Sequence, residues 1–558
     1  MQNKLIYCLA VVTLLVVGWV YWPIVHANFV WDDWASFHDN SWLTVGDEWK
    51  QSIFRGFNSW VYYFRPLVVA FFTLQVRLFD STPGPMHAVS LGLHLIDTAL
   101  VAVLAWRCAT LSGLEAQQRG WRVLGCMLLY GLHPALIETV SWIGCQFDLI
   151  ATLWTLLGLI ANVTLRRRMV RAAALTFVFF LAACSKESAI SLPLLVVLFD
   201  WLLFSGRADQ GVITSMKTML ARNGLAYVGI LLAGIAYLVF RHWAIGPISQ
   251  LFGDSSMTPL IHGQMIAFTY MHYWGIVLWP SVGMNPIHPV YVGGFAHVTT
   301  QSLLMDVATV GLLAWSADAA IRRKSVVACI VLAVTLALFP VLHVFAVEFE
   351  RSLYHERYAT TALAVMCAML PLLRIPTLDR VPGLQRVAKP ALAVLFLAWL
   401  ISSIATIRMV TPLWASDVNL WRWALAVYPQ ASQAKDNLLK SYLDIKDYDD
   451  YHKLVNRVLA DPAPCAGCAL FIAKNAVADK DTTLATSALK KAGESPLLIR
   501  DQTMSRDYYR LMGEVLIQKG NLTDAEALLQ VALQIDPKYP QTKEALERLH
   551  ALKRPATP

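Results

Sequence analysis

Apolar residues run in long blocks through the first 410 positions of the chain, and beyond them the pattern turns amphipathic. A bilayer core about 30 Å thick takes roughly 17 to 25 mainly apolar helical residues to cross. Blocks of this kind predict spans at 5–22, 86–106, 123–137, 149–165, 172–184 and 189–204. Five more follow at 225–240, 301–320, 326–345, 360–373 and 391–407, giving about 11 transmembrane helices. The stretches 66–79 and 265–279 are also apolar but carry Gln75, Arg77 and His272. They are expected to lie in, or dip into, the membrane interface rather than cross.

Beyond 410 the spacing becomes that of packed helix pairs. Residues 506–537 place Tyr509, Met512, Gly513, Leu516, Ala525, Leu529, Ala532 and Pro537 at the offsets of a 34-residue tetratricopeptide repeat. Small residues at Gly513 and Ala525 let two helices approach, and Pro537 ends the second. A weaker copy covers 431–462, and a half-repeat at 417–429 follows the last span. The fold class expected is therefore all-α. It combines a polytopic membrane domain over 1–410, a long first loop at 23–85, and a tetratricopeptide-like α-solenoid over 411–558. Stacked helix pairs of this kind usually bind protein, with a structural cap as the other reading.

Composition sharpens this picture. Of 558 residues, 57% are hydrophobic and 15% charged, against about half and a quarter in soluble proteins. The part beyond 410 holds 19 of the 46 basic and 18 of the 38 acidic residues, so most of the net charge of +8 belongs to the membrane part. There it reads as topology rather than nucleic-acid affinity. With the N-terminus cytoplasmic, Lys4 and Arg107, Arg119, Arg122, Arg166, Arg167, Arg168 and Arg171 fall inside. So do Arg207, Lys217, Arg222, Arg322, Arg323, Lys324, Arg374, Arg380, Arg386 and Lys389. An odd number of spans then puts the repeat domain outside, with loop 23–85. No small-residue cleavage site follows the first apolar block, so it is expected to be a retained helix. Seven cysteines sit in or beside apolar runs, while Cys465 and Cys468 lie in the tail and are expected to form a local disulfide. One Cys-x-x-Cys is too few ligands for structural zinc.

Ionisable residues near hydrocarbon are expensive and therefore candidates for function. The first outer loop contains Trp31-Asp32-Asp33-Trp34, two carboxylates placed to take a proton from an interfacial hydroxyl. Asp at a helix start is the plainer reading. On the same expected side lie Arg65, His133, Glu138, Asp148, the turn Ser185-Lys186-Glu187, Arg351, and Glu356-Arg357-Tyr358. Each alone also fits a salt bridge or a snorkelling side chain. His87, His94 and Asp97 fit helix packing better than metal binding.

In order along the chain, FVWDD, YFRPL, MHAVSLGLHLIDTALVAVLAW, HPALIETVSWIGCQFDLIATLWTLLGL, CSKESAISLPLLVVLFDWLL and ERYATTALAV resemble landmarks of one family. That family is the transmembrane-and-tetratricopeptide-repeat O-mannosyltransferases of the C-type glycosyltransferase fold, with their bacterial relatives. The resemblance implies an enzyme that uses a polyprenyl-phosphate sugar outside the cytosol, with its catalytic carboxylate at Asp33 or Asp32. The chain departs from the family where relatives often carry Gly-Arg before the acidic residue of the fourth span; here Gly144-Cys145-Gln146-Phe147-Asp148 stands.

The function expected is an inverting sugar transfer to a hydroxyl of a protein Ser or Thr or of an envelope glycan. Asp33 or Asp32 is the base, and Arg357, Lys186, Arg65 and Arg351 are the cations for the donor phosphate. Glu138, Asp148, Glu187, Glu356 and His133 support them. No cofactor is expected, although a carboxylate-rich outer face suits Mg²⁺ or Mn²⁺. The partners implied are the lipid-linked sugar, membrane lipids, and an acceptor held by the repeats; nucleic acid is not among them. Compact loops and a short tail favour a bacterial inner membrane with the tail periplasmic. The alternatives are a non-catalytic scaffold whose repeats recruit envelope-assembly proteins and, further behind, a transporter.

Overall fold

The computed structural model describes residues 2–39, 48–55, 63–206, 210–246, 258–279, 281, 283–290, 292–344, 352–373 and 382–553. Regular structure among them is helical, apart from an isolated bridge between Pro289 and Ser352. The chain divides into two units, Met1–Ser416 and Asp417–Pro558.

The first unit opens with α1 (Gln2–Tyr21), α2 (Glu48–Arg55), α3 (Pro66–Phe79), α4 (Pro83–Leu111) and α5 (Ala116–Gly131). A break at His133-Pro134 leads to the short α6 (Ile137–Ser141). Next come α7 (Gln146–Thr164), α8 (Arg168–Ala183), α9 (Ser191–Phe204), α10 (Val212–Ile245) and α11 (Pro259–Leu278). The unit closes with α12 (Thr300–Arg323), α13 (Val326–Leu338), α14 (Thr360–Met369) and α15 (Pro382–Val410).

Among the described residues, seven helical segments are long and apolar enough to cross a membrane: Lys4–His26, Pro83–Leu111, Ile143–Thr164, Glu187–Phe204, Val212–Ile245, Thr300–Arg323 and Pro390–Trp414. The α5–α6 pair, bent by 48°, makes an eighth if it is one span. The protein is thus a polytopic membrane protein; of the eleven blocks that hydropathy suggests, the described residues give eight as helices of full spanning length once the bent pair is counted. The difference lies in α8, α13 and α14, which are 16, 13 and 10 residues long. Of these, α8 still exposes Met169, Val170 and Phe177, whereas α14 is turned almost wholly to the protein interior. In α14 every residue except Thr361 and Met366 is buried, so this helix is enclosed by its neighbours rather than by lipid.

Close approach within this unit depends on glycine. A Cβ on Gly131 would lie 2.7 Å from Val17, and one on Gly120 2.8 Å from Ile6, so α5 can lie this near α1 only without side chains there. The helix break after α5 is fixed by His133, whose Nδ1 accepts from Ala135 N while Nε2 donates to the Val277 carbonyl at 3.1 Å. One buried polar network joins α7, α8, α9 and α10. Asp200 accepts from Asn162 (2.9 Å), Arg222 (2.6 Å), Asn223 (2.5 Å) and the Tyr227 hydroxyl (2.6 Å). Arg171 adds bonds to Asn223 and the Arg222 carbonyl. A buried carboxylate is tolerated when its lone pairs are used in this way.

The second unit holds α16 (Asp417–Val427), α17 (Ser432–Asp444), α18 (Tyr448–Ala460), α19 (Ala466–Ala478) and α20 (Thr482–Gly493). After them come α21 (Leu497–Arg500), α22 (Gln502–Gln518), α23 (Leu522–Ile535) and α24 (Pro540–Lys553). Three pairs, α17–α18, α19–α20 and α22–α23, share one turn. A left-handed residue, Lys446, Lys480 or Gly520, precedes an Asp447, Asp481 or Asn521 whose side chain caps the next helix. The α19–α20 pair was not anticipated from sequence. Cys465 and Cys468 are disulfide-bonded at the start of α19.

Candidate functional site

The site is assembled from the ends of helices that are far apart in sequence. After α1 the chain turns at Trp31, whose φ of 57° is unusual for a bulky side chain, so the position is held by its surroundings. The Trp31 ring stacks on Trp142, with centroids 4.7 Å apart and planes 6° from parallel. That stack aims the next two residues differently: Asp32 is exposed, and Asp33 is 1% exposed. The Asp33 Oδ1 accepts from the Gly144 backbone N–H at 3.0 Å. Gly144 also suits the close pass, since a Cβ there would lie 3.0 Å from the Trp142 indole.

Three cations surround this point, each set against a carboxylate. Arg357 precedes α14, and its Nη1 donates to Glu138 Oε1 at 2.5 Å while its backbone N–H donates to Oε2 at 2.9 Å. Lys186, in the turn between α8 and α9, donates to Asp148 at 2.5 Å. Arg65, which caps α3, engages Glu187 through Nε and Nη2 at 3.0 and 2.8 Å. The three pairs form one continuous patch. The Arg357 guanidinium lies 5.0 Å from the Trp142 ring and 4.7 Å from that of Tyr358, and Lys186 Nζ lies 4.8 Å from the same Tyr358. Arg65 covers Phe147, beside Asp148, at 4.6 Å.

Burial sets the charge balance. It lowers the Lys186 ammonium below the usual lysine value; Asp148 pulls it back up, and Arg65 adds to the depression. At Arg65 burial again disfavours the cation, but Glu187 outweighs it, and the net shift is upward. A patch in which cations crowd one another yet retain donors is suited to an incoming anion. One of the three Lys186 N–H groups is spent on Asp148.

Asp33, Arg65, Glu138, Asp148, Lys186, Glu187 and Arg357, all named from sequence, thus come together. Glu356 turns elsewhere: its Oε1 accepts from His288 Nε2 at 3.0 Å and from Asn285 N at 3.4 Å. Burial raises its pKa, His288 lowers it more, and the net position is below the usual carboxylate range. His133 serves the helix break described above, and Arg351 lies outside the described residues. Gln146, two residues before Asp148, accepts from Gln75 Nε2 of α3 at 2.7 Å, a buried packing contact.

The chain matches no family model, curated protein or solved structure. The likeness to a known family therefore rests on the order of its motifs alone. Sequence reasoning missed Trp142 and His355 as members of the site, and named Tyr358 only as part of the stretch Glu356-Arg357-Tyr358. His355 Nδ1 lies 3.6 Å from Glu138, and its ring is 6.3 Å from Trp31. The only signal available for them was proximity to Glu138 and Arg357 along the chain. Among the described residues, no three His, Cys, Asp or Glu side chains converge as metal ligands.

Proposed function

We propose that this protein is a membrane glycosyltransferase that moves a sugar from a polyprenyl-phosphate donor to a hydroxyl acceptor, by single displacement with inversion. The observation that carries this reading is the placement of the buried Asp33 carboxylate on the same contact chain as Arg357, Lys186 and Arg65. Asp33 takes the acceptor proton, and the acceptor oxygen attacks the anomeric carbon. The bond from that carbon to the donor phosphate oxygen breaks, and the phosphate leaves with the electron pair. A lipid phosphate needs no strong acid to leave. It needs positive charge to hold it, and Lys186, Arg65 and Arg357 supply that.

Counting the bent α5–α6 pair and the shorter α8, α13 and α14 as spans gives eleven crossings of a C-type glycosyltransferase fold. The positive-inside rule then places the site and the tail on the extracytoplasmic side of a bacterial inner membrane. The tail reads as a tetratricopeptide solenoid that holds the acceptor. In support, the left-handed residues Lys446 and Lys480 are 34 residues apart, the period of that repeat.

The test compares Asp33→Asn with Asp32→Asn, each supplied to cells lacking the gene, with envelope glycans read by mass spectrometry. Asp33→Asn is expected to lose transfer by about 10²- to 10⁴-fold, the usual contribution of a positioned base. Asp32→Asn, changed on an exposed side chain, is expected to restore the missing sugar. Full restoration by Asp33→Asn at normal protein levels would remove the proposed base.

A further inference from the structure

An apolar groove of about 330 Å³ opens between α8, α9 and α10, lined by Phe179, Pro193, Val197, Leu231, Gly234 and Leu238, among others. The side of α10 that borders it is well exposed at Leu231 and Leu238, so the groove opens sideways from the helix surface. At its floor Gly234 faces Phe179, which a Cβ there would meet at 3.5 Å, so a large side chain at this position would enter the groove. At 330 Å³ the groove is at the small end of ligand pockets, which suits one hydrocarbon chain rather than two.

The groove is aligned with the cation patch. Phe179 on α8 and Pro193 on α9 each stand seven residues from Lys186, on the two helices that its turn connects. Across the groove, Leu238 is next to Tyr237, whose hydroxyl donates to the Phe64 carbonyl at 3.0 Å, immediately before Arg65. Phe64, Ala183, Cys184 and Tyr237 pack into one apolar cluster between groove and cations. With a rise of 1.5 Å per residue, the top of the groove is level with that cluster, and Tyr227 lies about 16 Å further down α10.

We propose that this groove holds the isoprenoid chain of the lipid donor, with the phosphate at Lys186 and Arg65. The inference rests on the donor reading above and adds where the lipid lies and why a single-chain lipid is selected. A bulk phospholipid also presents a phosphate, but it has two chains to accommodate beside the cations.

The test uses the full chain in phosphatidylcholine nanodiscs with a farnesyl phosphate bearing a terminal benzophenone. After irradiation, labelled peptides are mapped with undecaprenyl phosphate or dioleoyl phosphatidic acid as competitor. The expected result is labelling on α8, α9 and α10 that undecaprenyl phosphate suppresses and phosphatidic acid does not. Leu231→Trp and Gly234→Phe, which fill the groove from an exposed and an internal position, are expected to weaken that labelling about tenfold. Two variants keep the result readable if one fails to fold. Groove labelling that both competitors suppress equally, or neither, would mean that the groove takes ordinary lipid and would overturn the proposal. Undecaprenyl-sensitive labelling on other helices would overturn the groove and leave the donor reading standing. Without undecaprenyl-sensitive labelling anywhere on the chain, both fall.

Discussion

The Glu138–Arg357 pair offers the sharpest energetic test of the site. Their side chains are 3% and 5% exposed, and the carboxylate answers both the guanidinium and the backbone N–H of Arg357. Replacing Glu138 by Gln preserves the shape and an oxygen for that N–H, so the change isolates the loss of charge. Breaking a buried pair on one side leaves its partner uncompensated and costs about 3–5 kcal/mol. Glu138→Gln and Arg357→Met should each fall in that range, the Gln change toward its lower end because one hydrogen bond survives. The double variant should lose much less than the sum, since no buried charge is then orphaned. A coupling of about 2–3 kcal/mol is expected, near the top of the range seen for touching residues.

The assay is a titration of the full chain with dodecyl sulfate in mixed micelles, followed by tryptophan fluorescence, to which Trp142 beside Arg357 contributes. Asp318→Asn is the control. Its pair with Arg322 is exposed on both sides, and such pairs are worth about 0–1 kcal/mol. Additive single and double variants, within about 0.5 kcal/mol, would refute the claim that these two groups neutralise each other in a buried setting.

Two further outcomes are expected. Gly513→Ala places a Cβ 2.8 Å from Leu529, and overpacking of this kind should destabilise the tail by about 1–3 kcal/mol, visible as a lowered midpoint of its melting by circular dichroism. Glu356 is held below the ordinary carboxylate range, so its stabilisation is complete above that range and is lost as pH falls through its depressed folded value. His288→Leu removes the strongest of the groups that lower it, leaving His355 and a backbone hydrogen bond against burial, so the folded pKa moves up. The share of acid-induced destabilisation that comes from Glu356 should then shrink or reverse, so the variant loses less stability than the parent between neutral and acid pH, and identical pH profiles would contradict the pairing.

Hydropathy located the helices of the first unit well because apolar blocks must be helical whether lipid or protein surrounds them. For the same reason it could not count spans. Nothing in the composition of α14 separates a helix wrapped by α4, α5, α7 and α13 from one facing acyl chains. Basic residues carry a second role that spacing does not show. Arg171 and Arg222 read as topological markers between spans, yet both point into the Asp200 network and help to pack four helices. In the tail, the α22–α23 pair was legible because Gly513 and Ala525 mark its contact. The α19–α20 pair was not, because Ala469, Ala473, Ala485 and Ala488 pack through alanine at many positions and leave no single signature.

The site was more legible than the fold, and the reason is energetic. A charged side chain beside hydrocarbon is retained only if something satisfies it, so Arg65, Glu138, Asp148, Lys186 and Arg357 stand out against their neighbours without any structure. What sequence cannot supply is who satisfies whom. The partners are separated by 122 positions for Arg65 and Glu187, 38 for Lys186 and Asp148, and 219 for Arg357 and Glu138. No periodicity links such distances. The choice between Asp32 and Asp33 was equally closed, because adjacent residues share every compositional cue. The structure separates them by burial alone: the positive φ of Trp31 and its stack on Trp142 go with an Asp33 turned inward to Gly144 and an exposed Asp32. The same pairing that hides the cations from a sequence reader also keeps them ready. Each is held in place by a carboxylate, so under the proposed function an arriving phosphate would meet oriented donors and spend little binding energy on ordering them.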